Sequence, residues 1–318
     1  MSGRLDARTL ALLTLGVVAV SFAAPLMASL AVPALAIAFW RNALATAAIA
    51  PVAAVRAAHN NMRMSQESAV DASGAPSATS ACPAAKDRLL VVVAGLCLAA
   101  HFGFWVTSLD MTSVASSTAI VSLQVIWVLG HDLVRGRPVG ARVPLGVLLA
   151  TVGAIVVGGV DLSISSRALA GDAFALVGSL AVAAYAVIGG RARQRLSTTT
   201  YTLGCYGTAA VALGVAAAVA GQPLTGYTGE EWLRLGVLTA TAQLLGHSVF
   251  NHLLATVSPM VVSLAILLEV PGAAVVAAAW LGQVPGPTAL VGLVLVLGGM
   301  ATVVLAAPPS AEGEAVVV

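Results

Sequence analysis

Two ionisable residues stand deep inside apolar stretches of this 318-residue sequence: Arg41 within the run 33–54, and Glu269 within 258–281. A charge in such surroundings needs a partner, and ionisable groups at that depth mark pathways, relays or structural pairs. Arg41 offers a guanidinium to a carbonyl, an acidic side chain or an anionic solute. Glu269, eleven residues past Ser258, is the one carboxylate near the middle of any apolar run. It can carry a proton, tie a helix by hydrogen bonding or contact a solute directly. Gln124, His101, Trp105, Tyr185, His247 and Asn251 also fall inside apolar runs. Their donors and ring faces suit a pocket for a zwitterionic or aromatic small molecule. Cys82, Cys97 and Cys205 lack CxxC spacing, so neither a metal site nor a disulfide framework is expected, and no motif calls for a cofactor.

The elements that must position these residues follow from composition. Hydrophobic residues make up 59% of the chain and charged residues 9%, whereas a soluble domain carries about a quarter of its residues as charges. So few charges cannot coat a soluble protein of this size, which predicts an all-α polytopic membrane protein in contact with the lipid bilayer. A spanning helix needs about 20 mostly apolar residues. Ten runs qualify: 10–29, 33–54, 89–109, 113–131, 143–160, 171–190, 201–220, 232–253, 258–281 and 287–307. With a cytoplasmic N-terminus, twelve Lys and Arg residues fall on the inner side and only Arg167 and Arg234 on the outer side. The positive-inside bias therefore predicts a multi-pass protein of the cytoplasmic membrane with both termini inside. A net charge of +2, scattered over short loops, excludes a nucleic-acid partner.

Residues 55–88 are rich in Ser, Ala, Asn and Pro without hydrophobic periodicity, which predicts a disordered cytoplasmic tether. Sliding the second half of the chain over the first brings polar landmarks into register. Gly16 pairs with Gly178, His101 with His247, Trp105 with Asn251, Ser113 with Ser258 and Gln124 with Glu269. Gly146 and Gly153 pair with Gly292 and Gly299. Five spans per copy is an odd number, so the two copies are expected to be inverted, the architecture of alternating access about a central site. The division is 1–160 for the first five-helix repeat, 161–307 for the second and 308–318 for a cytoplasmic tail.

Several stretches carry a family resemblance. Phe39-Trp40-Arg41-Asn42-Ala43-Leu44 ends an apolar run on arginine. Gly171-Asp172 opens the sixth span, which carries Ala184-Tyr185 before Arg191. Val257-Ser258-Pro259 precedes Leu267-Leu268-Glu269. In this order over ten spans the chain resembles the EamA-type transporters of the drug/metabolite transporter superfamily. It departs from them in Val270, which separates Glu269 from Pro271, and in Gln283 after Leu281-Gly282. The resemblance implies movement of a small metabolite, with export of an amino acid or related compound as the expected activity; together with the inverted repeat this reads as secondary transport, and Glu269 makes protons a candidate coupling ion. A membrane-embedded enzyme or a sensory scaffold is the rival class. The sequence has no His-Glu-x-x-His run, Gly-x-Ser-x-Gly turn, phosphate-binding loop or soluble output domain to serve either.

Overall fold

The structure, a computed structural model, describes residues 6–70, 85–158, 165–282, 284 and 286–305, and among them every regular element is a helix. The first half holds α1 (Ala7–Ser21), α2 (Ala23–Ala28), α3 (Ala34–Val70), α4 (Ala85–Leu109), α5 (Val114–Val121), α6 (Gln124–Val134) and α7 (Arg142–Gly158). The second half holds α8 (Ser166–Ala192), α9 (Thr198–Val219), α10 (Gly229–Leu238), a π-helix over Thr239–His247, α11 (Ser248–Leu253), α12 (Pro259–Ile266), α13 (Glu269–Leu281) and α14 (Pro287–Leu305). Among the described residues seven spans are long and apolar enough to cross a membrane, including Ala7–Ala28, Val114–Val134 and Pro259–Trp280, each built from two short helices in line. Arg142–Val156 and Pro287–Val303 are shorter apolar helices, and the run 232–253 is shared by α10, the π-helix and α11.

Local chemistry explains the helix starts. Asp6, Ser113, Ser165, Ser197, Thr228 and Ser258 are N-caps, each side chain accepting from the backbone N–H three residues on. Pro259 sits in the first turn of α12, where its missing N–H costs nothing. Gly282 ends α13 in the left-handed conformation, φ 67°, that a side chain would disfavour.

The expected tether needs correcting at its edges, because α3 continues to Val70 and α4 begins at Ala85. Residues 55–70 contain no Gly or Pro and include Ala57, Ala58, Met62, Arg63, Met64, Gln66 and Glu67, good helix formers, and a helix already nucleated in the apolar run propagates through them without a second nucleation cost. Residues 71–84, including Cys82, lie outside the described residues, as do Asp161, Gln283 and the tail 308–318.

The helices pack through small residues. α7 lies along α14, where a Cβ added at Gly146 would sit 2.6 Å from the Gly299 carbonyl oxygen and one at Gly299 2.5 Å from that of Gly146. Gly153 meets the Gly292 carbonyl in the same way, at 2.6 Å. Such backbone contact is how helices associate where burying apolar surface from water gives no driving force. α4 packs on α8, α3 on α9, and α1 on the π-helix and α11. Gly178 abuts the backbone at His101 and Trp105, and Gly16 abuts Phe250.

Polar contacts gather at the two ends of the bundle. At one end Arg195 pairs with Asp87 at 2.9 Å, Arg137 with Asp132 at 2.8 Å, and Arg56 donates to Thr199 Oγ1 at 2.6 Å. At the other, Arg234 donates to the Ser29 carbonyl at 2.7 Å and Arg167 to that of Asp110 at 2.8 Å. Asp132 and Asp172, which helix-end placement alone would leave to solvent, are both engaged: Asp172 Oδ1 accepts from Ser116 at 2.9 Å.

Candidate functional site

The spans Val114–Val134 and Pro259–Trp280 break at matching places. Between α12 and α13, Pro271 has no N–H to give the Leu267 carbonyl, and Val270 N–H closes a tighter turn on that oxygen at 3.2 Å. Between α5 and α6 no proline is present. There Ser122 donates its hydroxyl to the Thr118 carbonyl at 2.8 Å, and Leu123 N–H turns back to Ile120 at 3.1 Å. A serine hydroxyl bonded back onto its own helix bends it. Each break makes the residue after it the first of a new helix, and those residues are Gln124 and Glu269. A helix N-terminus favours an acceptor or a negative charge.

Gln124 and Glu269 line one cavity together with His101, Trp105 and His247, closed by Val20, Val121, Ser122, Val182, Phe250 and Ile266. It encloses about 20 Å³, room for a water molecule or two. His101, Trp105, Ser122, Gln124 and Glu269 are buried and His247 is partly buried. His101 is fixed by donating from Nδ1 to the Gly178 carbonyl at 3.0 Å, and its ring stacks on Trp105 with centroids 5.4 Å apart. Gln124 Oε1, Glu269 Oε1 and Trp105 Nε1 have no hydrogen-bond partner. The cavity therefore presents two unpartnered acceptors and one donor beside two imidazole rings.

The other three expected residues lie elsewhere. Arg41, fully buried, donates from Nε to Gln243 Oε1 at 2.8 Å, from Nη1 to Met27 Sδ at 3.4 Å, and lies 3.9 Å above the Phe102 ring. Among the described residues no carboxylate lies within 4.0 Å of its guanidinium, so its partner is an amide and an aromatic face rather than Glu269. Phe102 in turn meets His247 edge-on, with centroids 5.2 Å apart, so Arg41 stands one ring behind the cavity. Tyr185 donates to Asn251 Oδ1 at 2.6 Å. The backbone carbonyl of Asn251 accepts from Arg193 Nε at 2.8 Å, and Arg193 Nη2 donates to Thr198 Oγ1 at 2.8 Å. That cluster ties the α8–α9 turn to α11, and burial draws the Arg193 guanidinium below its ordinary pKa.

Gln243, Asn42, Tyr206 and Ser122 join the polar framework without standing among the expected site residues. Gln243 bridges Arg41 and Asn42, donating to Asn42 Oδ1 at 3.1 Å, and its carbonyl accepts from Tyr206 at 3.2 Å and from Ser248 at 3.2 Å. Those extra donors satisfy the backbone where the π-helix replaces the α-helical ladder. The available signal was two amides, Asn42 and Gln243, within otherwise apolar runs.

Comparison with known proteins bears on this geometry. Residues 169–305 match the model of the EamA-like transporter family. The match runs from α8 to the end of α14 and bears out the resemblance to EamA-type transporters over that part of the chain. That family is one of membrane transporters. Tyr185, His247, Asn251 and Glu269 fall within the EamA match, whereas Arg41, His101, Trp105 and Gln124 precede it. No curated protein matches the sequence. A solved structure described only as "Crystal structure of protein" superposes with a TM-score of 0.71, covering 95% of this chain and 98% of its own at 15% identity. At that identity the likeness speaks for the fold, and it extends over both halves.

Proposed function

We propose that this chain is a secondary transporter that moves a small metabolite, an amino acid or a related compound, across the cytoplasmic membrane by alternating access. The observation that carries the reading is the pair of broken helices that bring Gln124 and Glu269 to one buried cavity between the halves of the chain. Interrupted helices whose ends face a mid-membrane site are the recurring device of transporters built from inverted repeats. The packing supports the inversion. α4 against α8 has its counterpart in α1 against the π-helix and α11, while α3 with α9 and α7 with α14 pair as matched elements. With ten crossings, both termini are cytoplasmic, Arg56, Arg137 and Arg195 face the cytoplasm, and Arg167 and Arg234 face outward. The cavity is too small for any metabolite, so loading requires the halves to part on one side. Export is the expected direction, and Glu269 is the group placed to carry a coupling proton.

The test is a comparison of small metabolites inside and outside cells that overproduce the wild-type chain or the Gln124→Leu, Glu269→Gln double variant. The expected result is at least one metabolite displaced from the cells by the wild type alone. Equal metabolite profiles at equal membrane abundance would remove the reading.

A further inference from the structure

A second, larger cavity adjoins the polar one. It is a cleft of about 250 Å³ among α5, α13 and the start of α14, walled by Val114, Thr118, Val270, Ala274, Ala277 and Ala289 and open at its rim, where Ala115, Val284 and Gly286 are exposed. Val270 follows Glu269 in the chain, and Thr118 stands one helical turn before Val121 and Ser122, so the two cavities share the walls of α5 and α13. The lining is apolar except for Thr118, which is 2% exposed and whose Oγ1 has no partner.

We propose that this cleft binds the apolar body of the transported solute while its polar head seats against Gln124, Glu269 and Trp105. The assignment rests on the transport reading and narrows its substrate to an amphipath. The head chemistry follows from the unpartnered atoms, two acceptors and one donor. A primary carboxamide complements them with two N–H groups and one carbonyl, and an ammonium beside a carboxylate meets the same demand.

The register that aligns Gln124 with Glu269 supplies an internal control. It pairs Ala115 with Met260 and Ala274 with Leu129, and the neighbouring glycine register pairs Ala289 with Val143. Met260, Leu129 and Val143 pack with Val147 and Leu264 in one apolar cluster. The space beside α5 and α13 is therefore not a by-product of the repeat. It exists where alanines stand in place of larger side chains, and filling those positions should remove it.

The experiment uses the full chain in lipid nanodiscs and primary n-alkyl carboxamides from propanamide to octanamide, with affinity read by calorimetry. Burial of each added methylene should tighten binding about fourfold until the cleft is full, after which the gain stops. Ala274→Leu should weaken the longer amides by more than tenfold and leave propanamide unchanged. Ala115→Met is the second variant should the first fail to fold. Leu129→Ala, at the matched position, should leave the length dependence as in wild type, which shows that the effect of Ala274→Leu is local to the cleft; partition into lipid would be the same in every variant. Absence of binding by any amide, or an unchanged length dependence in Ala274→Leu, overturns the assignment. If the amides bind as expected while reconstituted protein passes no solute, the transport reading falls and the cleft stands. If solute passes but Ala274→Leu leaves chain-length preference intact, the cleft falls and transport stands.

Discussion

Replacing Gln243 with leucine should be among the costliest single changes outside the cavity. The substitution removes the acceptor of Arg41 Nε and the donor to Asn42 Oδ1, while the backbone carbonyl that serves Tyr206 and Ser248 is kept. Arg41 is fully buried and its Nη2 already lacks a partner, so no solvent can replace the lost amide. A hydrogen bond to a charged group contributes roughly 1.5–3 kcal/mol and a neutral one about 1 kcal/mol. Stranding a buried charge lies at the upper end of such losses. The expected destabilisation is about 3 kcal/mol, read from reversible unfolding in mixed micelles titrated with a denaturing detergent. Removing the charge as well should undo much of it. With Arg41→Met in the background, Gln243→Leu should cost no more than about 1 kcal/mol, a coupling of about 2 kcal/mol across the cycle. A Gln243→Leu variant within about 0.5 kcal/mol of wild type, or additive costs in the double variant, would refute the claim that Gln243 is what permits the cation there.

Gly299→Ala puts a Cβ 2.5 Å from Ala150 N and Gly146 O and should cost about 1–3 kcal/mol by overpacking. Gly298→Ala meets nothing within 4 Å and should be neutral or stabilising by up to about 1 kcal/mol; equal effects would show that α7 and α14 are not in backbone contact. Arg193→Lys should lose the fork that serves Asn251 O and Thr198 together and cost roughly 1.5–3 kcal/mol, with no change in unfolding midpoint arguing against the latch. Burial raises the Asp110 carboxyl above the ordinary aspartate pKa although Arg167 opposes the shift. A raised carboxyl binds its proton more tightly when folded, so its ionisation costs stability above the folded pKa, and the cost fades as pH falls through it. Asp110→Asn should therefore be slightly more stable than wild type at pH 7 and converge with it below about pH 4. A gap that widens on acidification would reverse the sign.

Much of the fold is legible because it is written in single residues with local consequences. Ser113 and Ser258 cap matched helices by their own side chains, and the equal spacing from each to Gln124 and Glu269 places those two in the chain's matched breaks. Pro271 announces one break through its missing N–H. Ser122, which bends the other, looks like any serine in an apolar run until its hydroxyl is seen to bond back to Thr118. The three candidate residues that do not line the cavity share one feature. Arg41, Tyr185 and Asn251 make side-chain hydrogen bonds to partners far away in sequence, Gln243, Asn251 and Tyr185 in turn, while Arg41 Nη2 and Asn251 Nδ2 stay without a partner, and sequence distance conceals which atoms are engaged. The π-helix is similarly hidden, since it depends on Tyr206 and Ser248 being positioned to serve its displaced carbonyl. The alanine-lined cleft is the converse case: the alanines are plain in the sequence, but their effect appears only against the larger residues at the matched positions.

The central claim is that solute crosses through the cavity shared by Gln124 and Glu269, and the most direct measurement is release from proteoliposomes. Vesicles loaded with a small-molecule extract of the expressing cells and bearing either the wild-type chain or the Gln124→Leu, Glu269→Gln double variant are incubated, and their contents are compared by mass spectrometry. Wild-type vesicles should lose at least one solute that the variant vesicles retain, with both proteins folded and equally incorporated. Identical contents in the two sets, or identical losses from both, would contradict it.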